Sequence, residues 1–151
     1  MFEPQGRGRQ MNAEAMLKTL EEHHRTIKEG LRVIQSHCSQ ASPSSCELAK
    51  AREHLTAASL ARSRFVSEQV VPSLVKDADD DLRTELAELL YATAAKRMLS
   101  NVHVKTWNTA SIEADWSGYC AAAKGIWPIM EDQIDRECRI LVSQLRQTQT
   151  G

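Results

Sequence analysis

In LKTLEEHHRTIKEGLRVI, residues 17–34, the buried-type side chains return every three or four positions. Leu17, Leu20, His24, Ile27, Leu31 and Ile34 make one continuous seam, the period that lines a single face of an α-helix. Asn12 is placed to cap this helix A, which the spacing ends near His37. One member of the seam is polar. Its neighbour His23 lies about 100° around the helix and is expected at a helix edge or in solvent.

The same period recurs three more times. After the loop CSQASPSS, Ser44 with Glu47 reads as a capping box, and helix B carries Leu48, Ala51, Leu55, Ala58, Arg62 and Phe65. Pro72 to Lys76 should end it. KDADDD is a charged connector whose aspartates favour the start of helix C, from about Leu82 to Trp107. Leu82, Leu86 and Leu89 open the buried stripe of helix C. NTASIEAD reads as a turn with one helical turn inside it and Asp115 as a cap. Helix D then carries Tyr119, Ala123, Ile126, Met130, Gln133, Glu137 and Ile140, with a kink expected at Pro128. No alternating β pattern competes. Four such helices joined by short loops predict an all-α fold, an antiparallel up-and-down four-helix bundle over residues 12–147. Residues 1–11 read as a disordered lead-in and 148–151 as a disordered tail.

Composition narrows the function classes. The chain has 151 residues with 19 Lys plus Arg against 20 Asp plus Glu, a net charge of −1. That balance speaks against nucleic acid as a partner, which calls for excess positive charge. No apolar run approaches the roughly 20 residues of a membrane span, and MFEPQGRGRQ lacks the apolar centre of a secretory signal. Cys38, Cys46, Cys120 and Cys138 include no C-x-x-C pair, so neither a zinc framework nor a disulfide scaffold is indicated. A reduced, cytoplasmic protein is expected. Cys38 and Cys46 bracket the A–B loop and form a candidate redox pair, whereas Cys120 and Cys138 read as small packing residues. Trp107, Trp116 and Tyr119 read as a plug at the C–D corner, and Trp127 as a residue for the core edge or for a partner.

His24, Arg62, Gln133 and Glu137 are polar residues at seam positions, and that is the informative kind of exception. Arg62 lies 17 residues after Ser45 and His24 lies 14 before Cys38, so their heights differ by only ~5 Å. Gln133 and Glu137 sit one turn apart on helix D. The four residues therefore predict one buried polar layer. An Arg there needs an acid, and Glu137 is the available one. Lys28 and Gly30 follow His24 at spacings that miss the phosphotransfer-histidine pattern. No Ser-His-Asp order, phosphate-cradling loop or carboxylate pair in a cleft occurs, so no enzyme activity is expected.

The pattern resembles the hemerythrin-like, or HHE cation-binding, family. L-E-E-H-H-R-T-I matches the first-helix motif with His24 in a ligand place, and R-F-V-S-E-Q-V-V-P-S-L resembles the end of the second helix. In that register Arg62 stands where the family has His, Val66 where it has Glu, and Gln133 where it has another His, while Glu137 keeps a carboxylate. The resemblance implies a bundle that in its relatives holds two irons with about six His and carboxylate ligands. Two are retained here, and helix C has no histidine near Leu89 to Tyr91; His103 lies ~18 Å further along. The expectation is a non-enzymatic hemerythrin-like domain without cofactor, serving sensing or interaction with a protein partner, a homodimer through a helix face being one form. The alternatives are an iron- or oxygen-binding protein using His24 and Glu137, and a redox regulator acting through Cys38 and Cys46.

Overall fold

Asn12 starts the first helix with its own side chain: Oδ1 accepts from the Ala15 N–H at 2.8 Å, satisfying a donor that the helix leaves free. The structure is a computed structural model and describes residues 11–150. The lead-in expected at residues 1–11 thus falls outside the described residues except for Met11, which packs on the core. Helix α1 spans Ala13–Cys38 and buries Met16, Leu20, His24, Ile27, Leu31 and Ile34. Gly30 is also on this face. A Cβ there would stand 3.1 Å from Leu55 Cδ1, so the missing side chain lets α1 come close to α2.

Helix α2 spans Ser45–Phe65. The expected capping box does not form. The backbone at Ser44 (φ −94°, ψ 82°) departs from the extended conformation that aims a cap hydroxyl at the helix. Its Oγ turns instead to Gln40 Oε1, at 3.4 Å. Beyond Phe65 the chain widens into a π turn, Val66–Val70, and tightens again in α3, Val71–Val75. Pro72 explains the widening. It offers no N–H to the carbonyl four residues back, and its ring would crowd that carbonyl in a regular helix.

Helix α4, Asp80–Thr106, is capped by Asp79, whose Oδ1 accepts from Leu82 N–H at 2.8 Å. The short α5, Thr109–Ala114, is capped by Asn108, and α6, Trp116–Glu137, by Asp115. Helix α6 continues across Pro128. A second π turn, Cys138–Val142, leads into α7, Ser143–Thr150. The helix therefore passes through residues 148–150, where a tail was expected, because SQLRQTQT contains no proline or glycine to stop it. The fold is all-α, with no strand among the described residues. Among the described residues no helix is long and apolar enough to cross a membrane.

Two apolar clusters make the core. One joins Leu20, Val66, Val70, Leu86, Leu89, Leu141 and Leu145; the other joins Ile27, Leu31, Leu48, Leu55, Tyr119, Ala123 and Ile134. Each fully buried aliphatic side chain contributes roughly 1.5–3 kcal/mol. The division follows the sequence: His24 interrupts the seam between Leu20 and Ile27, Arg62 between Leu55 and Val66, and Glu137 between Ile134 and Leu141. Tyr119 closes the second cluster, with Trp116 stacked at 5.8 Å and Trp107 edge-on at 5.9 Å. Trp116 Nε1 donates to the Gln40 carbonyl at 2.9 Å, tying this corner to the loop after α1.

Candidate functional site

Between the two clusters the seams of α1, α2, α4 and α6 each turn a polar side chain inward. Glu137 is fully buried at 0% exposure, with Gln133 at 2%, His24 at 5%, Thr93 at 5% and Arg62 at 6%. His24 Nε2 donates to Glu137 Oε1 at 2.7 Å. Arg62 Nη1 donates to Oε2 at 2.7 Å, and Gln133 Nε2 reaches the same oxygen at 2.9 Å. Gln133 Nε2 also donates to Thr93 Oγ1 at 2.7 Å, and Thr93 Oγ1 donates to the Leu89 carbonyl at 2.9 Å. The structure thus brings together all four polar seam residues around one carboxylate.

Burial pushes the Glu137 carboxyl up, but His24, Arg62 and Gln133 outweigh it and hold the group below its ordinary value of 4.5. Glu137 is therefore a carboxylate, able only to accept, so His24 Nε2 carries the proton. The other ring nitrogen, Nδ1, lies 3.7 Å from Cys138 Sγ. Cys138, expected as a small packing residue, is exposed as a whole while its contact with His24 is part-buried. Its thiol is pushed up by burial of the sulfur, with Lys28 opposing and nearby carboxylates adding, so the S–H is available to donate to Nδ1.

Thr93 is the member that the sequence reading missed. It continues the buried α4 stripe of Leu86 and Leu89, but a threonine suits either face of a helix, so the spacing alone did not mark it. His23 sits at the helix edge, its ring 5.4 Å from Phe65. His103 is far from the layer and stacks on Tyr119 at 5.8 Å. Burial, then Arg52, lowers its basicity. All four cysteines are free. Burial, and then a hydrogen bond with Cys120, push the Cys38 thiol up to about 12. Cys46 is exposed.

A metal ion fits this arrangement poorly. Both Glu137 oxygens are engaged, one by an imidazole N–H and the other by a guanidinium. The cation of Arg62 would stand next to any ion bound there. Among the described residues no group of three or more His, Cys, Asp or Glu side chains is placed to hold a metal.

Two atoms of the layer remain unpartnered although buried, Arg62 Nε and Gln133 Oε1. Both side chains line a cavity of about 190 Å³ that opens between α2, α4 and α6. Comparison with protein-family models, with curated proteins and with solved structures gives no match.

Proposed function

We propose that the chain is a hemerythrin-like, antiparallel four-helix bundle whose centre is closed by an internal ion pair instead of two irons. Helix A is α1, helix B is α2 with α3, helix C is α4, and helix D is α6 with α7. In this reading the Arg62 guanidinium supplies the positive charge that metal ions supply in such bundles. The observation that carries it is the fully buried Glu137 carboxylate, saturated by Arg62, His24 and Gln133. A di-iron site needs open coordination positions and several His or carboxylate ligands. Here a cation and two amide or imidazole donors take up the one carboxylate.

The domain then acts without catalysis, as a cytoplasmic sensing or interaction module. Four free thiols accord with a reducing compartment. An exposed apolar row on α4, with Tyr91 81%, Met98 69% and Val102 63% exposed, accords with contact to another protein. Elemental analysis of protein purified from iron-supplemented cells, with an optical spectrum, tests the reading. No stoichiometric iron, manganese or zinc is expected. Near-stoichiometric iron with oxo-bridge absorption would overturn it and restore the oxygen-binding alternative built on His24 and Glu137.

A further inference from the structure

Helix α4 carries a second seam on the side away from the core. Its buried stripe is Leu86, Leu89 and Thr93. Two positions on from these stand Glu88, Tyr91 and Ala95, about 200° around the helix. The row continues through Met98, Val102 and Lys105 in alternating steps of three and four, and all six residues are exposed. A row of that period, kept up from Glu88 to Lys105, is the seam by which one helix meets another. After Thr93 the helix buries no further residue before its end at Thr106. Yet this half carries Ala94, Ala95, Met98, Leu99, Val102 and Val104. A helical stretch so short draws most of its stability from packing an apolar face, so the outward row calls for a cover.

Reversed end for end, the seam complements itself. About a two-fold axis between Lys96 and Arg97, Glu88 faces Lys105 of a second copy, Tyr91 faces Val102, and the small Ala95 faces the long Met98. Each contact then occurs twice, as an isologous interface requires. The charges agree. Residues 79–90 hold Asp79, Asp80, Asp81, Glu85 and Glu88 against Arg83, whereas residues 91–106 hold Lys96, Arg97 and Lys105 and no acid. An antiparallel pair sets acidic end on basic end; a parallel pair would set like on like. Glu88 and Lys105 have no ion-pair partner among the described residues. Lys96 and Arg97 do not collide at the axis, because both turn to the cavity between α2, α4 and α6.

We infer that two copies of the chain pair through α4, antiparallel, with Glu88 of each on Lys105 of the other and Ala95 and Met98 at the centre. The partner is a second copy because a foreign helix would have no need of a seam that matches its own reverse. The inference deepens the proposed interaction role by naming the partner, the helix and the register. It rests on that reading only in taking the row as a docking face.

Sedimentation velocity of the full chain, from micromolar to submillimolar concentration, tests it. A reversible monomer–dimer equilibrium is expected, with Kd on the order of micromolar for so small an interface. Met98→Glu puts carboxylates at the centre of the seam and should leave only monomer. Its far-UV circular dichroism should remain that of the parent, since Met98 is exposed in the single chain. Glu88→Lys or Lys105→Glu alone creates two like-charge contacts and should weaken pairing about tenfold. Combining the two should restore it, and mixing the two single variants should give a heterodimer. A chain that stays monomeric throughout, its apolar row then left to a different protein, would overturn the inference. So would a dimer untouched by Met98→Glu, or charge reversals that the combination fails to rescue. None of these outcomes touches the buried ion pair, whereas iron loading would sink the ion-pair reading and leave the self-association result as it stands.

Discussion

Removing one side of the central ion pair should cost far more than removing both. In Arg62→Met the stem is largely replaced, but the carboxylate of Glu137, at 0% exposure, loses the guanidinium that stood 2.7 Å away. His24 and Gln133 still donate to it, yet no full positive charge remains beside it. Breaking a buried pair in this way costs ~3–5 kcal/mol. In Glu137→Met the stranded group is the Arg62 cation, whose Nε already lacks a partner, and a similar ~3–5 kcal/mol is expected. Arg62→Met combined with Glu137→Met removes both charges and leaves apolar atoms of similar volume. Its residual cost is the acceptor lost by His24 and Gln133, about 1 kcal/mol each. The two sites should therefore couple by about 3 kcal/mol or more. A domain of this size has only roughly 5–15 kcal/mol in total, so the effect will dominate. Urea unfolding followed by far-UV circular dichroism measures it. Single variants that each cost under about 1 kcal/mol and simply add would refute the reasoning, since they would show that neither charge is desolvated.

Three further outcomes follow from the same geometry. Thr93→Val removes one of the two acceptors of Gln133 Nε2, so thermal or urea unfolding should show a loss of about 1–3 kcal/mol; an unchanged midpoint would contradict the bond. Glu137 has its folded pKa below the ordinary 4.5. Its contribution is thus complete above that value and is lost as pH falls through the folded pKa. Acid unfolding should be shallower in the double Met variant than in the parent, and identical acid limbs would argue against the clamp. Iodoacetamide at neutral pH should modify exposed Cys46 before Cys38, whose thiol is pushed up to about 12. Peptide mass spectrometry that found Cys38 modified first would reverse the assignment of its environment.

Much of this architecture was legible because helix seams are a property of spacing alone. The caps Asn12 and Asp115, the stripe of α1 and the end of α4 follow from side chains acting on their own backbone. His24, Arg62, Gln133 and Glu137 were visible because an ionisable or amide group on an apolar seam stands out. Thr93 was not, since a threonine tolerates either face and signals nothing until its hydroxyl is seen between Gln133 and the Leu89 carbonyl. The capping box at Ser44 failed because the motif matches sequence, whereas the cap depends on a backbone angle that the loop sets. The π turn before Val71 has Pro72 as its cause, but Cys138–Val142 contains no proline and no local signal for widening. The Cys38–Cys120 contact and the cavity depend on how whole helices meet. Helix α4 packs on α6 and α3 but makes little contact with α2, and the gap appears only once those axes are placed.

The central claim is that Glu137 is buried yet ionised because Arg62 holds it there. A pH titration of the Glu137 carboxylate carbon by NMR, in the parent and in Arg62→Met, measures this directly. The account predicts a midpoint below 4.5 in the parent and a rise above it when the guanidinium is removed, as desolvation takes over. An ordinary midpoint in both proteins would contradict it, because Glu137 would then be a solvated side chain with no bond to Arg62.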